Sequence, residues 1–370
     1  MLKVSCLQQA LLESVGTVSR GVSGRSTQPV QNNIYLEASG NQLRLVATDL
    51  EYLSLEAVIE AEVLEEGAIT VPARLFADVM SALPNDDVKL TADETNGMNI
   101  KCGRSKYDIR GLSAADFSTL PSVAQATELE LEQGKLLMIL ERTVFSTSRD
   151  ETRPILTGAL FKLTDNLLEV VATDTYRLAL QSLPLETPVS DNRSAIVSRR
   201  ALTELMRILS ADSTEPVKIR FAESQAEFKV GNVTLGSRLI EGQFVNYTKV
   251  VPSSFERKVS CSIKEYGAAL HRALIVARED ANRVVLKTED GSLKITASSQ
   301  DVGTVEESIP VRLEGEDAEI AFNARYVIDM LDAIKTDQVV MELSGPLNSG
   351  ALKPEGDENY LYVLMPMQIM

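Results

Sequence analysis

The chain is short of the residues on which most enzymes depend. Among 370 residues there is one histidine, His271, beside Arg272 in a stretch of helical spacing. Imidazole is the usual base of hydrolase triads and the commonest metal ligand, so both chemistries are disfavoured and His271 reads as structural. Three cysteines, Cys6, Cys102 and Cys261, lie far apart. An odd, scattered set argues against a disulfide frame or a zinc knuckle and suits a reducing cytoplasm. No apolar run approaches the roughly 20 residues that span a bilayer. Met1–Ala10 carries polar residues where a signal peptide would hold its apolar stretch. Neither a phosphate loop of the form GxxxxGK[ST] nor a dinucleotide loop GxGxxG occurs, and Gly21-Val22-Ser23-Gly24 is too short to count. Scattered Asp and Glu give carboxylate chemistry no focus. No metal, no cofactor and no catalytic residue is expected.

What is present is ordinary for a soluble globular protein, with 44% hydrophobic and 24% charged residues. The length leaves room for two or three domains, each with a core of its own. A net charge of −16 speaks against nucleic-acid binding when taken alone. The distribution of charge decides the matter, not its sum.

The strongest signal is a repeat. Leu168–Asp174 reads LEVVATD, Leu43–Asp49 reads LRLVATD and Leu293–Ser299 reads LKITASS, with a spacing of 125 residues both times. Leu36, Phe161 and Leu286 share an offset upstream. Downstream come three similar helical stretches, Val71–Leu83, Val197–Leu209 and Phe322–Ile334. In these, Arg74, Arg200 and Arg325 correspond, as do Asp78, Glu204 and Asp329. A period of this length is a whole domain, far longer than a solenoid repeat. The chain therefore reads as three tandem copies of one domain, 1–122, 130–252 and 253–370.

Within the first copy, a strand at Leu2–Cys6 leads into a helix whose apolar face holds Leu7, Leu11, Leu12, Val15 and Val18, closing near Gly21. Strands Ile34–Glu37 and Leu43–Thr48 form a hairpin across Ser39-Gly40-Asn41. A second helix starts at Pro72 and buries Leu75, Phe76, Val79, Met80 and Leu83. Pro121–Gly134 is acidic, has no apolar core of its own and reads as a linker running into the next strand. Helices follow over Gly134–Ser148, from Arg199, near Lys264–Ala277 and over Ala324–Ile334, and the last strand is Tyr360–Leu364. Six helices against antiparallel strands make an α+β layer arrangement.

Three groups of residues stand out. Arg74, Arg200 and Arg325 each occupy a first helical turn, where the macrodipole disfavours a cation. Each has a carboxylate four residues on, so an intrahelical ion pair is one reading. A phosphate-facing helix is the other, supported by further cations at Arg199, at Arg20 and Arg25 in the first loop, and at Arg149 and Arg153 in the equivalent second loop. Asp174-Thr175-Tyr176-Arg177-Leu178 carries a Tyr-Arg-Leu found only in the middle copy; the first copy keeps the aspartate as Asp49 but continues to Tyr52 and Leu53. The tail Tyr362–Met370 is apolar and rich in methionine. Tyr362–Leu364 fits a buried closing strand; at Met365–Met367 the proline blocks further pairing and a Met-lined surface suits a peptide.

On these residues the chain resembles the bacterial DNA polymerase III beta subunits, the replicative sliding clamps. The resemblance covers the whole length and includes ATD-x-x-R-L at Ala172–Leu178 and V-x-M-P-M at Val363–Met367. It implies a head-to-tail homodimer, a ring of six similar domains with helices around double-stranded DNA, held without reading sequence. It implies no catalysis and no membrane. Partners would be the polymerase alpha subunit, a clamp loader and other factors carrying a clamp-binding motif. Carried over position by position, the peptide cleft would comprise Leu156, Thr173, Thr175, Tyr176, Arg177, Leu178, Val245, Lys249, Val250, Ser349, Val363, Leu364, Met365, Pro366 and Met367. DNA contacts would fall on Arg25, Arg20, Arg74, Arg149, Arg153, Arg199, Arg200 and Arg325. Tyr107 and Ile109 would meet Ile275 and Val276 across the dimer seam, satisfying an open strand edge. Tyr176 stands where the family often has His, Val245 where it often has Pro, and Gln368-Ile369-Met370 where a basic residue and Leu are common; these departures bear on which peptide is preferred.

Overall fold

The computed structural model describes residues 1–22, 28–118, 123, 126–252 and 254–369. Its helices are α1 Gln8–Val18, α2 Ala73–Ala82, α3 Gln133–Thr143, α4 Arg199–Ile208, α5 Ile263–Ala277 and α6 Ala324–Ala333. The three LxxxATD-like segments occupy the same structural place. Gln42–Thr48, Leu167–Thr173 and Ser292–Ser299 are each the central strand of a three-stranded antiparallel meander. Their alternation buries Leu43, Leu45 and Ala47 in the first, Leu168, Val170 and Ala172 in the second and Leu293, Ile295 and Ala297 in the third. Gly40 turns the first of these hairpins at φ +59, a conformation open to glycine at little cost.

The described residues fall into two compact units, Met1–Leu137 with Val197–Ile240, and Met138–Ile196 with Glu241–Met370. In the first, an eight-stranded sheet runs without a break from one repeat into the next: Val233–Arg238 pairs antiparallel with Ser54–Glu60, from Val233 opposite Ala57 to Gly236 opposite Ser54. A five-stranded sheet beside it ends at the edge strand Ser105–Arg110. The second unit is built on a nine-stranded sheet joined the same way, with Arg177–Pro184 paired to Tyr360–Leu364 from Arg177 opposite Leu364 to Gln181 opposite Tyr360. Its four-stranded companion ends at Gly303–Pro310 and Glu319–Asn323. Neighbouring repeats thus share sheets, a feature that periodicity alone does not show.

Caps set where the helices begin. Ser198 accepts from the Ala201 N–H at 3.2 Å, Ser262 from Glu265 and Asn323 from Arg325 and Tyr326. Each such cap contributes about 1 kcal/mol. Pro72 lies one step earlier than the sequence suggests. It ends the edge strand Gly67–Pro72 and serves as N-cap of α2 with ψ 116, because on an edge its missing N–H breaks no ladder bond. Two leucines also depart from expectation. Leu75 is 46% exposed: Ala73, Phe76, Val79, Met80 and Leu83 take the i, i+3, i+4 face and leave Leu75 about 100° off it. Leu7 ends the strand Leu2–Leu7 and points away from Leu2, Val4 and Cys6, so it never joins the face of α1. The expected linker 121–134 runs into the strand Thr127–Glu132, which begins inside it, and α3 stops at Thr143 before a 3-10 turn at Val144–Ser146.

All three cysteines are buried and free. Burial, with Asp87 beside Cys6 and Glu265 beside Cys261, pushes both thiols up to about 12. A thiol needs its thiolate to react. In the native protein at pH 8, none of the three is expected to react with an aromatic disulfide reagent, whereas all react after unfolding in guanidinium. A native thiol titrating at the rate of free cysteine would contradict this burial. No helix among the described residues is long and apolar enough to cross a membrane.

Candidate functional site

The middle repeat's turn is built by two short side chains. Thr173 Oγ1 donates to the Arg177 carbonyl at 2.7 Å and accepts from the Thr175 N–H at 3.2 Å. Asp174 Oδ1 accepts from the N–H groups of Tyr176 and Arg177 at 3.0 and 3.1 Å. Thr175 is held at φ 82, a costly conformation for a β-branched residue. The reward is placement: Tyr176 stands 62% exposed on a fixed backbone. The first repeat builds its turn alike. Thr48 donates to the Leu53 carbonyl and Asp49 Oδ1 accepts from Glu51, Tyr52 and Leu53. By this hydrogen bonding Tyr52 matches Tyr176 and Leu53 matches Arg177.

Arg177 is the distinctive member of the middle turn. Its side chain is 10% exposed and every face of the guanidinium is occupied. Nε donates to Asp174 Oδ2 at 2.9 Å, Nη1 to Asp329 Oδ2 at 2.7 Å and Nη2 to the Phe145 carbonyl at 3.1 Å. The Tyr326 ring lies 4.3 Å from its carbon and the Phe145 ring 5.5 Å. Burial disfavours the charge, but Tyr362 and the two carboxylates outweigh it and hold the pKa above that of ordinary arginine. Arg177 therefore lies under the turn as a brace, and Tyr176 is the part of the turn left open to solvent. Asp329, Phe145 and Tyr326 are missing from the residues expected from the sequence. Asp329 was visible only as the fourth residue after Arg325; its bond to Arg177 spans 152 positions and leaves no local trace.

The tail is anchored more fully than its proline suggests. The ladder stops at Leu364, yet the Met365 N–H still donates to the Tyr176 carbonyl at 2.9 Å. Beyond Pro366, Met367 bridges to Ala321 and Arg283 Nη1 donates to the Gln368 carbonyl. Proline diverts the chain from one sheet to the next without ending pairing. Tyr176 and Met365 are thus adjacent and both exposed, over a floor of buried Leu156, Thr173, Leu178, Val363 and Leu364. Pro366, Met367 and Ser349 are half-buried. On the flank, Tyr247 anchors the segment carrying Val245, Lys249 and Val250: Lys162 Nζ donates to its hydroxyl at 3.3 Å, and that hydroxyl donates to Glu169 at 3.2 Å. Gly242, at φ +129, lets this segment approach Ile155, where a Cβ would come within 2.8 Å of a methyl. Val245 and Lys249 are exposed and Val250 half-buried. Chemically this is an apolar, Met- and Tyr-lined surface over a rigid brace, fit for a short apolar peptide segment. Among the described residues no group of three His, Cys, Asp or Glu side chains could hold a metal ion.

Comparison with known proteins decides the family. Three family models match in order, those of the DNA polymerase III beta subunit N-terminal, central and C-terminal domains, at residues 2–121, 130–246 and 248–368. The beta sliding clamp of Staphylococcus aureus is 33% identical over 378 residues, covering 100% of both chains. The chain belongs to the bacterial beta sliding clamp family. The Pseudomonas aeruginosa beta subunit superimposes with a TM-score of 0.95 at 32% identity, over 99% of this chain and 100% of that one. The Bacillus subtilis sliding clamp gives 0.95 at 29% identity over 100% of both. Like its family, this clamp is a processivity factor of DNA polymerase III and has no catalytic role of its own.

The clamp's repeated arginines share one place and differ in partners. Arg325 makes the expected i,i+4 pair, Nε to Asp329 Oδ1 at 3.0 Å. Arg200 does not pair with Glu204. It reaches Asp49 Oδ2 at 3.1 Å and the Val22 carbonyl at 3.3 Å, because Glu204 is taken by Arg20 at 3.0 Å and Arg207 at 2.8 Å. Arg74 has no ion pair with Asp78 or any other described residue. All three guanidinium-bearing residues are exposed, as are Arg149 and Arg153, the latter 3.9 Å from Asp150. Arg199 is half-buried, and Arg25 lies outside the described residues. At the expected seam, Tyr107 is partly exposed on the edge strand Ser105–Arg110 while Ile109 of the same strand turns into the core. Ile275 is 65% exposed on α5 and Val276 is half-buried.

Proposed function

We propose that two copies of the chain close head to tail into a ring around double-stranded DNA in the cytoplasm, and that this ring tethers the polymerase alpha subunit and other factors through the surface around Tyr176 and Met365. A clamp loader would open it. The observation that carries this reading is the threefold arginine: Arg74, Arg200 and Arg325 stand exposed at the second residue of α2, α4 and α6. Each repeat of a chain with net charge −16 thus offers a cation at one fixed structural place. Such contacts neutralise phosphates without reading bases. They are exposed and screened by salt, so they grip loosely and permit sliding. The open edge at Ser105–Arg110, with Tyr107 exposed, and the exposed Ile275 on α5 supply the two faces of a seam. Boundaries for the three domains follow the repeat, at 1–122, 130–252 and 253–370.

The test is topological. Clamp loaded on nicked circular DNA is expected to stay through a gel-filtration column and to be lost once the circle is cut. Equal retention on both forms overturns the ring. Reversing Arg74, Arg200 and Arg325 to Glu together is expected to cut loading at least about tenfold at physiological salt, each lost phosphate contact lowering the salt slope by about one. Unchanged loading would remove the arginines from the DNA face.

A further inference from the structure

One carboxylate touches both the brace under the turn and the exposed helix arginine. We propose that Asp329 is a positioning residue for the peptide-docking surface and couples it to Arg325, so that an anion taken up by Arg325 tightens the turn at Thr173–Arg177. This rests on the reading of that surface and of the arginine face just given.

The connection is continuous. Arg325 Nε lies 3.0 Å from Asp329 Oδ1, and Asp329 Oδ2 accepts from Arg177 Nη1 at 2.7 Å. Arg177 Nε donates to Asp174 Oδ2 at 2.9 Å, and Asp174 Oδ1 holds the backbone N–H groups of Tyr176 and Arg177. Asp329 is therefore shared between a buried cation and an exposed one. Tyr326, on the same helix as Asp329, covers the guanidinium, and its own carbonyl accepts from the Tyr362 hydroxyl at 2.9 Å. The exposed cation is the one an outside anion can reach. When Arg325 turns to a phosphate, Asp329 is left to Arg177 alone, and their attraction strengthens in surroundings of low dielectric. A firmer brace means a better preorganised turn under Tyr176, and tighter docking.

A second, independent wiring in the other compact unit joins the same two ends. There the turn carboxylate Asp49 pairs directly with the repeated arginine Arg200 at 3.1 Å, while Asp49 Oδ1 holds the turn's N–H groups. Leu53 stands at the Arg177 position, so no relay is possible, and Glu204 is occupied by Arg20 and Arg207. The two repeats differ in route but agree in what they connect: turn backbone at one end, helix arginine at the other.

The test uses the full-length chain and two readouts. Amide hydrogen exchange of residues 173–178 needs no ligand. Binding is read with griselimycin, which the Pseudomonas aeruginosa sliding clamp holds in its crystal structure, and Tyr176→Ser reports whether it occupies this surface. Asp329→Asn is expected to speed exchange at Tyr176 and Arg177, and to weaken griselimycin, each by about tenfold, the scale of one charge-assisted hydrogen bond. Asp329→Glu is expected to restore most of both. A short linear duplex is expected to slow exchange at 173–178 in the wild type and to leave it unchanged in Arg325→Gln, a surface change that spares the fold. Unaltered exchange in Asp329→Asn, or a DNA effect that survives Arg325→Gln, overturns the proposal. If both exchange results hold but griselimycin ignores Tyr176→Ser, the coupling to the turn stands and the docking-surface reading falls.

Discussion

Serine at both Tyr176 and Met365 is expected to weaken capture of a peptide from the polymerase alpha subunit roughly 30- to 1,000-fold. Both side chains are about half exposed in the free chain, so each has about 1–2 kcal/mol of apolar burial left to gain on docking, and the two together about 2–4 kcal/mol. The backbone bond from the Met365 N–H to the Tyr176 carbonyl does not depend on either side chain. The fold and retention on circular DNA should therefore be unchanged while primer extension shortens. Fluorescence anisotropy with the labelled peptide measures the loss; wild-type affinity in the double variant would remove this surface from the docking site. Point changes are cleaner here than truncation at Met365. Truncation would also strip the Met367 bridge to Ala321 and the bond from Arg283 to the Gln368 carbonyl, and so would disturb the third repeat itself.

Aspartate at Ile275 should have a comparably large effect on assembly. The side chain points outward from α5 and packs against little within its own chain, so the monomer's stability should shift by no more than about 0.5 kcal/mol. In a head-to-tail ring of two chains the seam occurs twice. A charge buried against apolar surface costing about 2 kcal/mol per seam costs about 4 for the ring, close to a thousandfold in the dimer constant. Sedimentation across a concentration series measures this directly, and retention on nicked circles should collapse in parallel. A dimer constant equal to that of the wild type would move the seam elsewhere. Ile109 is a poor choice for the same experiment, since its side chain is part of the first unit's core and its loss would report on folding.

What could be read from the residues was whatever repeats or alternates. The 125-residue period placed three central strands and three arginine-bearing helices, because side chains alternating across a strand and recurring along a helix leave their period in the chain. Leu75 and Leu7 were misplaced for a related reason: one residue of phase separates a buried face from an exposed one, and composition does not resolve it. Pairing between distant segments was out of reach. Nothing local says that Tyr360–Leu364 completes a sheet begun by the middle repeat, or that Asp329 reaches Arg177 in preference to serving Arg325 alone. The resemblance supplied Arg177 as a cleft residue, but only the geometry shows it as a brace under Tyr176. The second tie of the tail, beyond Pro366, was hidden because proline forbids one hydrogen bond and is silent about the next residue's.

The sheets shared between repeats have a practical corollary. Each repeat looks like a bead that could be cut from the string, yet an isolated middle segment would carry a raw backbone edge where Val233–Arg238 had met Ser54–Glu60 and another where Arg177–Pro184 had met Tyr360–Leu364. Such edges recruit whatever strand is nearest. The repeat is a unit of ancestry and not of folding, and excised fragments should clump where the intact polypeptide stays dispersed.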